Sequence, residues 1–187
     1  TYALAGLTNR ETGWGIADDS FRTLEALGRL GAETWFGLGD LDMATHIRRT
    51  ELLGQGRTLS EATAEITRHL GIEHSIVPMS DASLRTIAIT DEGELAFQDY
   101  FVRRACEPKI TSVRFEGRDK AWPSPGLSRA LLEADAIVFC PSNPLVSIGP
   151  VLAVPGVHDE IVAFTGPRII VSPIVGGKAL KGPAAKM

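Results

Sequence analysis

The sequence predicts an α/β fold built on a mostly parallel, doubly wound sheet with a helical insertion. Three observations point there. Residues 136–140, AIVFC, and the start of 167–177, PRIIVSPIVGG, are short apolar runs without alternation, as strands covered on both faces require. Each runs into a polar loop rich in Pro or Gly, the position where such sheets hold ligands. Residues 41–71 carry helical spacing and no strand signal, which reads as an excursion from the α/β core.

The elements follow in order. Asp18, Asp19 or Ser20 stands where a cap is needed for a helix in which Phe21, Leu24, Leu27 and Leu30 recur, and Gly31 supplies its stop. Gly37, Gly39 and Asp40 mark a loop, after which Met43, Ile47, Leu52 and Leu53 predict a helix ending near Gly54–Gly56. Residues 58–70 have Thr58 or Ser60 as cap, Glu61 in the first turn and Gly71 as terminator. Strand-like runs come next: HSIVPM (74–79), LRTIAIT (84–90) and ELAFQDYFVR (94–103), the last two joined by the turn chemistry of Asp91-Glu92-Gly93. Residues 110–117 alternate, placing Val113 and Phe115 on one face. WPSPG is a Pro-interrupted loop, and 127–135 reads as a helix leading into AIVFC.

Composition narrows the class. A chain of 187 residues predicts one α/β domain, 1–187, with the helical insertion at about 41–71. Nineteen Lys and Arg against 23 Asp and Glu leave a net charge of −4, without the basic footprint of a nucleic-acid binder. No apolar run reaches the roughly 18 residues of a membrane span. The N-terminus lacks a basic n-region, so no secretory signal is expected. Cys106 and Cys140 are far apart and without metal spacing; they read as small core residues in a reducing cytoplasm. A first residue Thr and an end at KGPAAKM suggest a central fragment of a longer enzyme.

Three stretches carry candidate chemistry. In Cys140-Pro141-Ser142-Asn143-Pro144, two prolines fix a loop from which a hydroxyl and an amide project, ahead of a helix start whose free N–H groups favour anions. The same residues also suit a rigid turn with Ser142 and Asn143 as caps. In the stretch from Ser172 to Gly182, Gly176 and Gly177 permit close backbone approach, while Lys178 and Lys181 could neutralise a phosphate; the alternative is a loop with solvated lysines. From Gly39 to Arg49, two carboxylates, an imidazole and two guanidiniums lie close together. On a helix, Asp42, His46 and Arg49 share one face at i, i+4 and i+7. That face could bind a divalent metal or a phosphorylated substrate, or Asp40 or Asp42 could be a helix cap among surface ion pairs. Trp14 stands between Gly13 and Gly15 as a stacking wall or a loop anchor. Ser80 and Asp81 lie at a possible strand end or a turn.

The strings GLTNRETGWGIADDSFRTLEALGRLGAETWFGLGDLDMATHIRRTELL, IVPMSDA, AFQDYFVRR, PSNPLVSIGPVLAVPGV and VSPIVGGKALKGPAAKM together resemble the 2-phospho-L-lactate transferase family, whose actinobacterial branch is called phosphoenolpyruvate transferase. The resemblance implies a Rossmann-like three-layer α/β/α fold with a helical insertion, commonly dimeric. It implies transfer of a phosphoenolpyruvyl or 2-phospho-L-lactyl group from a guanosine diphosphate ester to the ribityl hydroxyl of 7,8-didemethyl-8-hydroxy-5-deazariboflavin (Fo). GMP leaves, Mg²⁺ assists, and the product belongs to coenzyme F-420 biosynthesis. In full-length members a Gly-rich loop and an Asp-bearing segment precede the equivalent of Thr1, so the metal ligands are not assigned to residues of this chain. Ala82 departs from the family, where many relatives have a second Asp after Asp81.

On that footing Asp40 or Asp42 is expected to orient the acceptor hydroxyl or a metal-bound water, and Trp14 to wall the deazaflavin. Ser142 and Asn143 would hold the donor, with Gly176, Gly177 and Lys178 along its diphosphate and His46, Ser80 and Asp81 also contacting substrate. The rival expectation is a non-catalytic nucleotide-sugar-binding regulator of the related gluconeogenesis-factor type, which would not bind Fo.

Overall fold

Helical periodicity before residue 78 and strand alternation after it divide the chain. The computed structural model describes residues 1–179 and shows two compact units, Thr1–Pro78 and a second beginning at Met79.

The first unit is helical. Helices α1 (Arg22–Arg29), α2 (Asp40–Gly54) and α3 (Leu59–His69) realise the predicted periodicities. The start of α3 is set by a capping box. Glu61 N donates to Thr58 Oγ1 at 3.2 Å, and Thr58 N donates to the Glu61 carboxylate at 2.8 Å. Helices α2 and α3 pack together, burying Leu52, Ala62 and Thr67, whose hydroxyl donates back to the Thr63 carbonyl. Arg48 ties the pair from outside through Glu51 and Glu65.

The caps of α1 and α2 differ from expectation. Phe21, which has no capping oxygen, precedes α1, and Gly39 precedes α2. Each helix is instead capped by a carboxylate from the other's approach. Asp40, the first residue of α2, accepts from Ser20 Oγ at 2.5 Å, Thr23 N at 3.0 Å and Arg22 N at 3.2 Å. Asp19, ahead of α1, accepts from Leu41 N at 2.8 Å and Asp42 N at 3.2 Å. Four orphan amides are thereby satisfied by negative charge at the positive ends of two helices. A Cβ at position 39 would lie 2.1 Å from the Asp19 carboxylate, so any side chain there would displace this cap.

The second unit opens with an antiparallel sheet in the order β2 (Gly93–Ala96), β1 (Arg85–Thr90), β3 (Ile110–Glu116). Thr90 pairs with Gly93 across the two-residue turn Asp91–Glu92, with Gly93 at φ +116°. Val113 and Phe115 point to the more buried face as alternation predicts. Two strand expectations fail here. HSIVPM holds no strand, and the run from 94 turns helical after Ala96, ending in a π-helical turn at Asp99–Arg103 with Tyr100 buried. Stacking of Phe97 on Phe101, 5.2 Å between ring centroids, needs helical rather than strand spacing.

Helix α4 (Pro125–Glu133) is capped by Ser124, whose hydroxyl accepts from Leu127 N. It leads to β4 (Ile137–Phe139), which pairs in parallel with β5 (Arg168–Ile170) after α5 (Gly149–Ala153) and α6 (Val157–Ala163). Arg168 holds this crossover by donating to the carbonyls of Ile161 and Val162 at the end of α6. A hairpin, β6 (Ile174–Val175) with β7 (Lys178–Ala179), closes the described chain.

The mostly parallel sheet is therefore corrected. Among the described residues only β4 and β5 are parallel; β2 and β3 both pair antiparallel with β1, the β1–β2 pair because a two-residue turn can join strands no other way. Nor are β4 and β5 covered on both faces, since Val138, Ile169 and Ile170 are 54%, 50% and 73% exposed. Cys140 is exposed and Cys106 half-buried, so neither is a core residue. No single helix among the described residues is long and apolar enough to cross a membrane, and the apolar stretch Pro144–Ala153 with Val157–Ala163 is bent by 91°.

Replacing Asp19 by Ala removes both carboxylate caps of α2 and is expected to cost about 1 kcal/mol of stability, measured by chemical denaturation. The Asp40 carboxyl is held below its ordinary value of 3.8, by the Ser20 hydroxyl first and the α1 amides next. A depressed folded-state pKa stabilises above the unfolded value and loses that contribution as pH falls. The Tm gap between wild type and Asp40→Asn should therefore be level above about pH 5 and close as pH drops below that range.

Candidate functional site

Residues 7–17 form a loop whose shape follows from two glycines. Thr8 and Ile16 make an isolated antiparallel bridge, reinforced by Ala17 N to Leu7 O at 2.8 Å. Within it the Asn9 side chain accepts from Glu11 N and Thr12 N, and Gly13 N donates to the Asn9 carbonyl. Gly13 and Gly15 adopt φ of +70° and +73°, which L side chains rarely do. Trp14 between them is 61% exposed and is fixed through its backbone by the Thr12 hydroxyl, which donates to the Trp14 carbonyl at 2.8 Å.

This loop walls a cavity of about 490 Å³ lying within the first unit. Trp14, Phe21, Phe36 and Tyr2 supply rings, while Asn9, Asp18, Asp19 and Asp42 supply polar groups. Volume and lining suit a small organic ligand, apolar walls with few convergent polar atoms being the usual make-up of such sites.

Of the two carboxylates at the start of α2, one lines the cavity. Asp40 is engaged by α1 and does not line it, whereas Asp42, two residues on, does. The Tyr2 hydroxyl donates to Asp42 Oδ1 at 2.5 Å. Burial above all, and then that bond to Asp42, push the phenol to about 12, so it is a donor throughout the physiological range. On the other side, His46 Nε2 lies 3.8 Å from the same oxygen and Arg49 Nη2 lies 2.8 Å from His46 Nδ1. Because a guanidinium only donates, Nδ1 accepts and the imidazole proton sits on Nε2, facing Asp42. Asp42, His46 and Arg49 thus share a face as their spacing predicts. Sequence spacing carried no sign of Tyr2, 40 residues away, or of Asn9, Asp18 and Phe36.

The remaining predicted residues belong to the second unit. Parallel pairing of β4 and β5 puts the loops after Phe139 and Ile170 at one end of the pair, with Val171 N donating to the Phe139 carbonyl at 3.0 Å. Ser142 lies in the first loop. Asn143 caps the following π-helical turn, its side-chain oxygen accepting from Leu145 N at 2.9 Å and Val146 N at 3.3 Å. Gly176 and Gly177, at φ +57° and +76°, form the two-residue turn between β6 and β7, with Lys178 exposed just after it. Positive φ at both central positions is what a type I′ turn demands. Ser80 is buried and accepts from Ala82 N at 3.1 Å in a local turn, with Asp81 exposed at its tip. Lys181 and Gly182 lie outside the described residues. Among the described residues no three His, Cys, Asp or Glu side chains are grouped to hold a metal ion.

Comparison with known proteins adds the following. The family model for 2-phospho-L-lactate transferase CofD matches residues 3–187. The 2-phospho-L-lactate transferase of Methanopyrus kandleri is 42% identical over 187 residues, covering 100% of this chain and 60% of that protein. The phosphoenolpyruvate transferase of Streptomyces griseus is 41% identical over 191 residues, with the same two shares. This chain spans 60% of the length of those curated relatives. Among solved structures, a member of the UPF0052 family from Bacillus halodurans has a TM-score of 0.56 at 20% identity, over 66% of this chain and 39% of that one, a likeness of fold.

Gly15→Ala forces a side chain into the left-handed region and should cost about 1–2 kcal/mol by denaturant titration. Trp14→Ala, at an exposed position, should stay within about 0.5 kcal/mol of wild type in the same assay.

Proposed function

The chain belongs to the 2-phospho-L-lactate transferase CofD family, and from that premise we propose that it serves the transfer of a phosphoenolpyruvyl or 2-phospho-L-lactyl group to Fo in coenzyme F-420 biosynthesis. The observation that carries the reading is the first-unit cavity, where an exposed Trp14 faces a site that also presents Asp42.

In the proposed reaction the ribityl hydroxyl oxygen forms a bond to the phosphorus bearing the lactyl or enolpyruvyl group. The bond from that phosphorus to the phosphate of GMP breaks, and GMP leaves with the electron pair. An alcohol is a poor nucleophile, and little covalent chemistry falls to the protein, so alignment and charge placement dominate. Trp14 supports the deazaflavin ring. Asp42 accepts a hydrogen bond from the ribityl hydroxyl and takes its proton as the new bond forms. Asp40 serves the reaction indirectly, by holding the start of α2 from which Asp42 projects. Ser142 and the loop fixed by Asn143 contact the donor, together with the Gly176–Lys178 turn; Ser80 and Asp81 are assigned to substrate contact with less specific roles. No step is assigned to Mg²⁺. A cytoplasmic homodimer completes the proposal on the strength of the family alone.

The test uses the full-length enzyme with Fo, Mg²⁺ and each guanosine diphosphate ester, followed by mass spectrometry. The expected product is Fo carrying one phospholactyl or phosphoenolpyruvyl group, with GMP in equal amount. Asp42→Asn should lower kcat by at least about ten-fold with the fold retained. Absence of product with both donors overturns the reading, and failure to bind Fo at all would favour a nucleotide-sugar-binding regulator.

A further inference from the structure

Two donors stand near one oxygen of the Asp42 carboxylate. On one side the Tyr2 hydroxyl donates to Asp42 Oδ1 at 2.5 Å. On the other, His46 Nε2 stands 3.8 Å from the same oxygen, too far for a hydrogen bond but within reach after a modest side-chain rotation. Arg49 keeps the imidazole in the form whose proton faces Asp42, so His46 is a standing donor. Tyr2 lines both spaces: the 490 Å³ cavity that holds Trp14, and a narrower cleft of about 190 Å³ shared with Thr45, His46 and Arg49. The phenol is thus a partition between them. Asp42 belongs to the cavity lining and not to that of the cleft.

We propose that Tyr2 is a positioning residue that holds the Asp42 carboxylate toward the cavity against capture by His46. This rests on the reading of the cavity as the site of the acceptor hydroxyl. Phe at position 2 would keep the ring partition and delete only the donor. Asp42 would then find its nearest donor in His46 and turn to the cleft, leaving the acceptor bound but its hydroxyl unaligned. Tyr2 touches no reacting atom in this scheme; it acts through Asp42.

The test compares four full-length variants by steady-state kinetics with Fo and by crystallography. Tyr2→Phe should lower kcat about ten-fold while the KM for Fo stays within about two-fold, the split expected when alignment rather than binding is lost. Adding His46→Phe, which removes the competing donor, should leave the Asp42 carboxylate facing the cavity in crystals of the double variant. In the background of Asp42→Asn, Tyr2→Phe should have no further effect, because both substitutions act through one group. In crystals of Tyr2→Phe, the Asp42 carboxylate should lie within hydrogen-bonding distance of His46 Nε2. An unchanged kcat, a loss that multiplies with Asp42→Asn, or an Asp42 that still faces the cavity in the crystal would overturn the proposal. The crystal arm needs no turnover, so an enzyme inactive on Fo would defeat the functional reading while this result still judged the role of Tyr2.

Discussion

The first unit depends on an exchange of carboxylates between two helix starts. Asp19 closes the amino end of α2 and Asp40 closes that of α1, across a glycine that no other residue can replace without collision. A helix start leaves amides without partners, and a residue capping its own helix satisfies them locally. Here the caps are crossed, so neither helix start is complete alone and the segment from 19 to 42 becomes one rigid piece. Rigidity at that point matters because the first turn of α2 carries the carboxylate that faces the cavity. Asp40 and Asp42 are separated by half a turn, and the lock on the first aims the second.

Much of this architecture was legible in the sequence, for identifiable reasons. The α3 capping box and the periodic apolar residues of α2 and α3 are local signals, and local signals survive folding. The hairpin at Asp91–Glu92 and the alternation of β3 are likewise short-range. Where the reading failed, a contact outside the alternation pattern, or the lack of a partner strand, decided. Phe97 and Phe101 stack only if the chain turns helical after β2, and HSIVPM has β-branched residues but no partner strand. The strands Ile137–Phe139 and Arg168–Ile170 do pair in parallel, with Val138, Ile169 and Ile170 exposed within this chain.

The site divides along the same line. The shared face of Asp42, His46 and Arg49 follows from helical spacing alone, and Trp14 between two glycines is a short motif with a short-range cause. The difference between Asp40 and Asp42 could not be read from spacing, since both stand at the start of one helix and only the approach of α1 tells them apart. Tyr2 was invisible for the same reason. Asn143 and the Gly176–Gly177 pair show the converse case, in which residues with chemical promise have a definite structural duty as helix cap and hairpin turn. Their contact with a substrate would be made by a loop already held in shape, which is how binding loops gain precision at small entropic cost.

The central claim is that a flat acceptor ring lies against Trp14 with its hydroxylated chain ending at Asp42. A crystal structure of the full-length enzyme with Fo tests it most directly. The account predicts the deazaflavin stacked on the Trp14 indole and the terminal ribityl hydroxyl within hydrogen-bonding distance of the Asp42 carboxylate. Fo bound at another surface, with nothing between Trp14 and Asp42, would contradict it.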